Sequence, residues 1–474
     1  MKHHPQFDAD TNVTSRSRLF DELPPTDSEL DPAAAVSLLL TPPVVVLRGV
    51  PRVKRPIRDQ VEFRDMCVDE LVPADHQVRA VWTFVMAQDL SSLFDKIAAV
   101  EGEVGRNAID PRILMALWLF ATIDAVGSAR EIARLTIRDN AYRWICGGVS
   151  VNHDRLSRFR ASSTELLDDI LTNSVAVLMQ QKLVSLNRVA QDGTRVRASA
   201  GKSSFRGAET LDELHAEAVQ HVANLKTGVD ESHSEASARQ KAAREHVAAD
   251  REERIAKAVA ALPKLAAARE KRKKGDGATT RVSTTDVEAR TMKMANGGFN
   301  PAYNVQFATD TESGIIVGVD VNSEGSDAGL MQPMVKQIQD RHGKTPEEFL
   351  VDGGYVTVKD TIAVTQMGVV VYMPVKEVEK KLAKGIDPFA PISADAPEVA
   401  GWRQRMGLAE SKKIYKERAS TAEWVNAQAR NRGLQQFRVR GQKKVKDVAM
   451  WFAVVHNLVR GLALCTKSVR PALS

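Results

Sequence analysis

The chain has 474 residues, enough for roughly two to four folding units with at least one well-filled core. Its 66 Lys and Arg against 60 Asp and Glu leave a formal charge of +6, which favours an anionic partner such as nucleic acid, although a mildly basic soluble enzyme fits the composition equally well. Cys67, Cys146 and Cys465 stand far apart without a C-x-x-C pair, which argues against a zinc knuckle or a disulfide framework and points to a reducing cytoplasm. The N-terminus MKHHPQFDAD has no apolar segment behind it, and the apolar runs near residues 37 to 47 are broken by Pro42 and Pro43, so neither export nor a membrane span is expected.

Residues 1–62 carry scattered charge and repeated prolines without a sustained period, which predicts a mobile N-terminal arm. Its tail, RGVPRVKRPIR, is basic and reads as a solvated linker before it reads as a phosphate contact. Residues 63–184 switch to an apolar period of three to four, which predicts an all-α domain. Within it Asp110 before Pro111 marks a helix start, and Ser128 with Glu131 forms a capping-box sequence. After Gly147 and Gly148 comes SVNHDRLSRFRASS, a short helix with Arg155, Arg158 and Arg160 expected on or near one exposed face. Helix, break and basic helix is the layout of a helix-turn-helix, which makes these arginines candidate DNA contacts; a solvated face on a helical bundle is the equal alternative.

The stretch NRVAQDGTRVRA alternates apolar and polar residues around Asp-Gly, which predicts two short strands and a turn. Residues 200–280 are rich in Ala, Glu, Lys and Arg and read as a charged pair of helices, with a break between Thr227 and Glu235 and a basic end, KRKKGDG. Their histidines, His215, His221 and His233, lack ligand spacing and are taken as surface residues. A hairpin is predicted from PAYNVQFATD and GIIVGVDVN, followed by a helix over Ala328–His342, the strand EEFLVD, a helix over VKDTIAVTQ and the strand VVVYMP. A helix holding Glu423 comes next, and an apolar one, VAMWFAVVHNLVRGLALC, closes the chain. This order predicts an α/β fold: an RNase H-like catalytic domain built from 185–199 and 281–474, with a helical insertion after its first strands and the all-α domain ahead of it.

Asp192 ends VAQD and precedes Gly193; Asp352 ends FLVD and precedes Gly353, Gly354 and Tyr355. Ligands of open α/β sheets collect beyond the carboxyl ends of strands, and a glycine beside a carboxylate lets a phosphate backbone come close. Each Asp-Gly also starts turns well, but two at matching strand ends favour a site. Glu423 has two readings. Ser420 to Glu423 satisfies S/T-x-x-E, with Ser420 as N-cap and Gly433 ending the helix. The same carboxylate could instead face a metal, with Arg430 about 20° away around the helix.

Taken together, these segments resemble the DDE transposases of bacterial insertion sequences. AQDGTRVRA is similar to their first-aspartate motif and FLVDGGYVT to the second, and YKERASTAEWVNAQAR is similar to their Tyr-Arg-Glu-Lys signature at Tyr415, Arg418, Glu423 and Arg430. LVPADHQVRAV, DPRILMALWLFATI, RWICGG with NHDRLSRFR, and GGFNPAYNVQFATD resemble the branch with a helical domain ahead of the catalytic one. Two departures stand out: four residues separate Arg418 from Glu423 where the signature has three, and Arg430 replaces its lysine. The resemblance implies that Asp192, Asp352 and Glu423 are catalytic and hold Mg²⁺, with Mn²⁺ a substitute, for cleavage at element ends and strand transfer. It implies DNA contacts by Tyr415, Arg418 and Arg430, terminal inverted repeats and target DNA as partners, and at least a homodimer on DNA. A nuclease of the same fold and a catalytically decayed DNA-binding relative are the rival readings.

Overall fold

The computed structural model describes residues 66–99, 107–161, 164–227 and 238–469, and Met66–Ser474 forms one compact unit. The N-terminal arm, most of the break in the charged insertion, and His233 lie outside the described residues.

The N-terminal helices are α1 (Gln77–Met86), α2 (Pro111–Ile123), α3 (Ala129–Arg138), α4 (Asn140–Cys146), α5 (His153–Arg160) and α6 (Thr164–Gln180). The Asp110 carboxylate accepts from the Arg112 amide at 2.8 Å and Pro111 opens α2, as its sequence requires. Helix α2 is apolar on nearly every side and accordingly lies in the middle of the bundle. Ser128 caps α3 by accepting from the Glu131 amide, but Glu131 turns to Arg134 and leaves the reciprocal half of the capping box unmade. Gly147, at φ 54°, ends α4 in the left-handed conformation that glycine adopts without strain.

The strands are β1 (Arg188–Arg197), β2 (Phe205–Arg206), β3 (Val282–Ser283), β4 (Arg290–Lys293), β5 (Phe299–Asp310), β6 (Ile316–Asn322), β7 (Glu348–Leu350) and β8 (Val370–Tyr372). Six of them form a mixed sheet. β5 is antiparallel to β1, and carries β4 and β6 along its other side; β1, β7 and β8 are parallel. β2 and β3 pair separately, at the base of the charged insertion, whose helices α7 (Ala208–Thr227) and α8 (Ala238–Arg272) pack on each other. The predicted hairpin of β5 and β6 is present. The predicted turn at Asp192-Gly193 is not, because β1 runs unbroken through both residues against β5.

Helices α9 (Met331–His342), α10 (Val358–Gln366), α11 (Pro397–Met406), α12 (Ala409–Arg418), α13 (Trp424–Asn431) and α14 (Gln442–Val469), with short helical segments over Ser91–Phe94 and Val378–Leu382, complete the described unit. One apolar core joins the N-terminal helices to Val196, Val305 and Phe307 of the sheet and to Trp451 and Val454 of α14. A second core lies against Val189, Ala190 and Phe349, and takes in Val335, Val364 and Trp402. The N-terminal bundle therefore shares its interior with the sheet. Helix α14 is long and apolar enough to cross a bilayer, but 61% of its most apolar stretch is buried inside this fold.

Candidate active site

The register of the sheet assembles the two aspartates. β1 and β7 are parallel, with Ala190 opposite Leu350. Two residues further on, Asp192 is still in β1 while Asp352 has just left β7, so the two carboxylates stand at one level of the sheet. The Arg418 guanidinium reaches both from α12, with Nη2 3.2 Å from Asp192 Oδ1 and 3.8 Å from Asp352 Oδ2. Asn426 Nδ2 donates to Asp192 Oδ2 at 2.9 Å, and its own carboxamide oxygen is buried without a hydrogen-bond partner among the described residues. Burial raises the Asp192 carboxyl above its ordinary range; Arg418 opposes this, and the charges of Asp352 and Asp327 reinforce it.

Glycine is needed at two positions for space. A Cβ on Gly193 would meet the Gln306 amide, and would lie 2.6 Å from Asp327 Oδ1 and 2.8 Å from Asn304 Oδ1. The Gly354 amide donates to Asp352 Oδ1 at 2.7 Å, and a Cβ there would come within 2.9 Å of that same oxygen. Behind the aspartates lies a polar network that the sequence reading missed. Asp327 Oδ1 accepts from Asn304 at 2.7 Å and Gln306 at 2.8 Å, its Oδ2 is 3.5 Å from Arg195, and Gln306 Oε1 accepts from the buried Tyr355 hydroxyl. The available signal was the pair Asn304 and Gln306, two amides at alternate positions within the mostly apolar stretch 302–308 of β5.

Glu423 does not begin a helix. Helices α12 and α13 are joined without a break by a single π turn over Ala419–Glu423. Ser420 donates its hydroxyl to the Glu417 carbonyl and caps nothing, so the capping-box reading is corrected: the backbone is already helical at Ser420 and there is no free N-terminus to cap. The π turn accounts for the extra residue between Arg418 and Glu423. In a regular α-helix a five-residue step leaves the second side chain about 140° from the first, against about 40° for four. A turn closed by i→i+5 bonds absorbs one residue and brings the two back toward a common face. The helix is anchored beside the site by Arg188, which lies 2.6 Å from Glu417 and 2.5 Å from Glu348 of β7.

The remaining predicted residues fall in different settings. Tyr415 is half-buried against the second core, while Glu423 and Arg430 are exposed on α13 and its preceding turn. Arg155 and Arg158 are exposed on α5. Arg160 is not, which corrects the expected three-arginine face. It is 7% exposed, stacks 4.5 Å over Trp118 and donates to the Gly127 carbonyl at 2.8 Å. The period of α5 turns that side chain inward beside Leu156 and Phe159.

Among the described residues no three His, Cys, Asp or Glu side chains converge closely enough to hold a metal ion, so Asp192 and Asp352 meet without Glu423. The two carboxylates and the carboxamide oxygen of Asn426, unpaired among the described residues, are oxygen donors of the kind a hard divalent cation takes, whereas the Arg418 guanidinium holds the positive charge between the aspartates and would have to give way to such an ion. An acidic centre of this kind on a mixed α/β sheet defines a candidate enzyme site. A transposase domain (DUF772) matches residues 66–162 and a transposase DDE domain matches residues 396–462. These two matches support assigning the chain to the DDE-type transposases of insertion sequences, DNA-cleaving and DNA-transferring enzymes that depend on divalent metal, and so a role in DNA transposition. No curated protein and no solved structure matches the chain.

Proposed function

We propose that this protein cuts DNA at the ends of its element and joins those ends to target DNA, with Asp192, Asp352 and Glu423 as its acidic triad on an RNase H-like sheet. The observation that carries this reading is the common level of Asp192 and Asp352 on adjacent parallel strands, bridged by Arg418 from the helix that continues into Glu423. The run of antiparallel strands followed by parallel ones supports the fold assignment.

Asp192 and Asp352 would hold Mg²⁺, or Mn²⁺ in its place, with Glu423 completing the set only if its turn moves it toward them, and the ion would supply activation of the attacking oxygen and neutralisation of charge at phosphorus. The chain's own residues position the reaction. Asn426 fixes the Asp192 carboxylate, the Gly354 amide fixes Asp352, and Arg418 is a counter-charge within reach of an incoming phosphate. In the first step a water oxygen bonds to phosphorus and the bond to the 3′ oxygen breaks, leaving a 3′-hydroxyl. In the second, the oxygen of that hydroxyl bonds to a target phosphorus as the bond from that phosphorus to the target's own 3′ oxygen breaks, and the target 3′ oxygen leaves as a hydroxyl. Tyr415, Arg430, Arg155 and Arg158 contact DNA in this scheme. Two ends must be handled together, so the protein works as at least a dimer, in the cytoplasm.

The test uses a supercoiled plasmid carrying the coding region with its own flanking DNA, in Mg²⁺. Wild-type protein is expected to nick or excise at the flanks and Asp352→Ala to do neither. Cleavage by Asp352→Ala at the wild-type rate would overturn the assignment.

A further inference from the structure

Away from the aspartates, a cleft of about 890 Å³ opens between the N-terminal helices and the segment that follows α13. Arg130, Arg160, Arg197, Arg432 and Arg438 all line it, and Asp154 is the one carboxylate among the described residues that line it. Among the described residues none of the five arginines forms an ion pair with an acid. Arg160 lies at the buried side with its Nε unpartnered, and burial together with the neighbouring Arg438 pushes its guanidinium down to about 10. Guanidinium groups gathered this way repel one another and gain most from an anion with several oxygens.

A second feature faces the same space. Ser128, Ala129 and Arg130, at the cap and first turn of the ten-residue α3, line the cleft. The Ser128 hydroxyl is taken by the Glu131 amide, which leaves the amides of Ala129 and Arg130 without an intrahelical acceptor and the positive end of the helix toward the cleft. Arg197 and Arg432 tie the cleft to the catalytic elements. Arg197 is the last residue of β1, five beyond Asp192, and Arg432 directly follows α13. The strand rise puts Arg197 roughly 17 Å along β1 from Asp192, on the opposite face of the strand.

We propose that this cleft is a second phosphodiester-binding site, in which the arginines and the first turn of α3 hold the DNA backbone at a distance from the reacting aspartates. That the anion is DNA rests on the proposed function above; that it is an anion with several oxygens rests on the cleft.

The experiment compares full-length wild type with Arg130→Gln/Arg438→Gln, two exposed side chains whose loss leaves the core intact, and with the charge-keeping Arg130→Lys/Arg438→Lys. Binding of a fluorescent duplex oligonucleotide is measured by anisotropy across a salt series. Loss of two phosphate contacts is expected to make the slope of log K against log salt shallower by about 1.8, and the lysine variant to restore most of it. A glutamine variant that stays folded by circular dichroism and keeps the wild-type slope and affinity overturns the cleft, whatever its cleavage activity. A shallower slope in the glutamine variant, in a wild-type protein that never cuts, leaves the cleft standing and counts against the catalytic reading instead.

Discussion

Asn426 holds Asp192 through a 2.9 Å hydrogen bond from helix to strand, although the two residues are 234 positions apart in the chain. Asn426 is 3% exposed, so the bond is made away from water, and it secures one oxygen of the carboxylate while Arg418 engages the other. Asn426→Ala is expected to lower the free energy of unfolding by about 1–3 kcal/mol, the range for leaving a buried polar group unsatisfied. The readout is the urea midpoint at unchanged slope; a midpoint equal to that of wild type would mean the bond does not help fix the strand to the helix.

Gly193→Ala tests the close packing around β1. Its Cβ would overlap the side chains of Gln306, Asp327 and Asn304, all of which are engaged in hydrogen bonds. Overpacking of this kind costs about 1–3 kcal/mol. Chemical denaturation would show it, and an alanine variant as stable as the parent would mean that the polar network can step aside.

The raised Asp192 carboxyl has a definite sign in stability. Its native form keeps a proton to higher pH than the unfolded chain does, so its unfavourable contribution is absent below the unfolded value of about 3.9 and grows as pH rises through the native one. Asp192→Asn is therefore expected to be more stable than wild type at pH 7, and this advantage should shrink as the pH falls toward 4. Thermal melts of both proteins over that range decide it; an advantage that is constant with pH would show that burial does not penalise this carboxylate.

Glu423 is exposed, so Glu423→Ala should change stability by less than about 0.5 kcal/mol. If the residue serves the reaction, cleavage should nevertheless fall by at least about 100-fold, the scale on which misplaced or missing groups act. Normal cleavage in this variant would remove Glu423 from the triad.

The π turn makes a register prediction. Deleting Ser420 leaves three residues between Arg418 and Glu423, and the segment should close as ordinary α-helix with most cleavage retained. Inserting an alanine after Ser420 should rotate Glu423 by about 100° and abolish activity. Cleavage assays and far-ultraviolet circular dichroism of both variants check this, and equal activity in the two would show that the register is immaterial.

Much of the fold was legible because its signals are local. The hairpin of β5 and β6, the start of α2 at Asp110 and Pro111, and the order of strands and helices from β5 to β8 follow from periodicity and capping over a few residues, whereas α11 and α12 were not foreseen. Asp-Gly at 192–193 misled because its local preference is a turn, whereas pairing with β5 on one side kept the strand straight and put the glycine to use for space. Ser420 misled in the same way: a capping sequence needs a free helix end, and α12 supplies a preceding turn instead.

The sequence by itself determined most of the long helices and the β5–β6 hairpin, the glycines beside Asp192 and Asp352, and the one-residue departure between Arg418 and Glu423. Tertiary structure alone decided that this departure becomes a π turn, that Arg160 faces inward onto Trp118, that Asn426 and Asp327 flank the aspartates, and that five arginines share one cleft. The physical reason is range. Backbone preferences act within a turn or a strand, while the neighbours of a side chain, and hence its charge environment, are set by the packing of segments far apart in the chain.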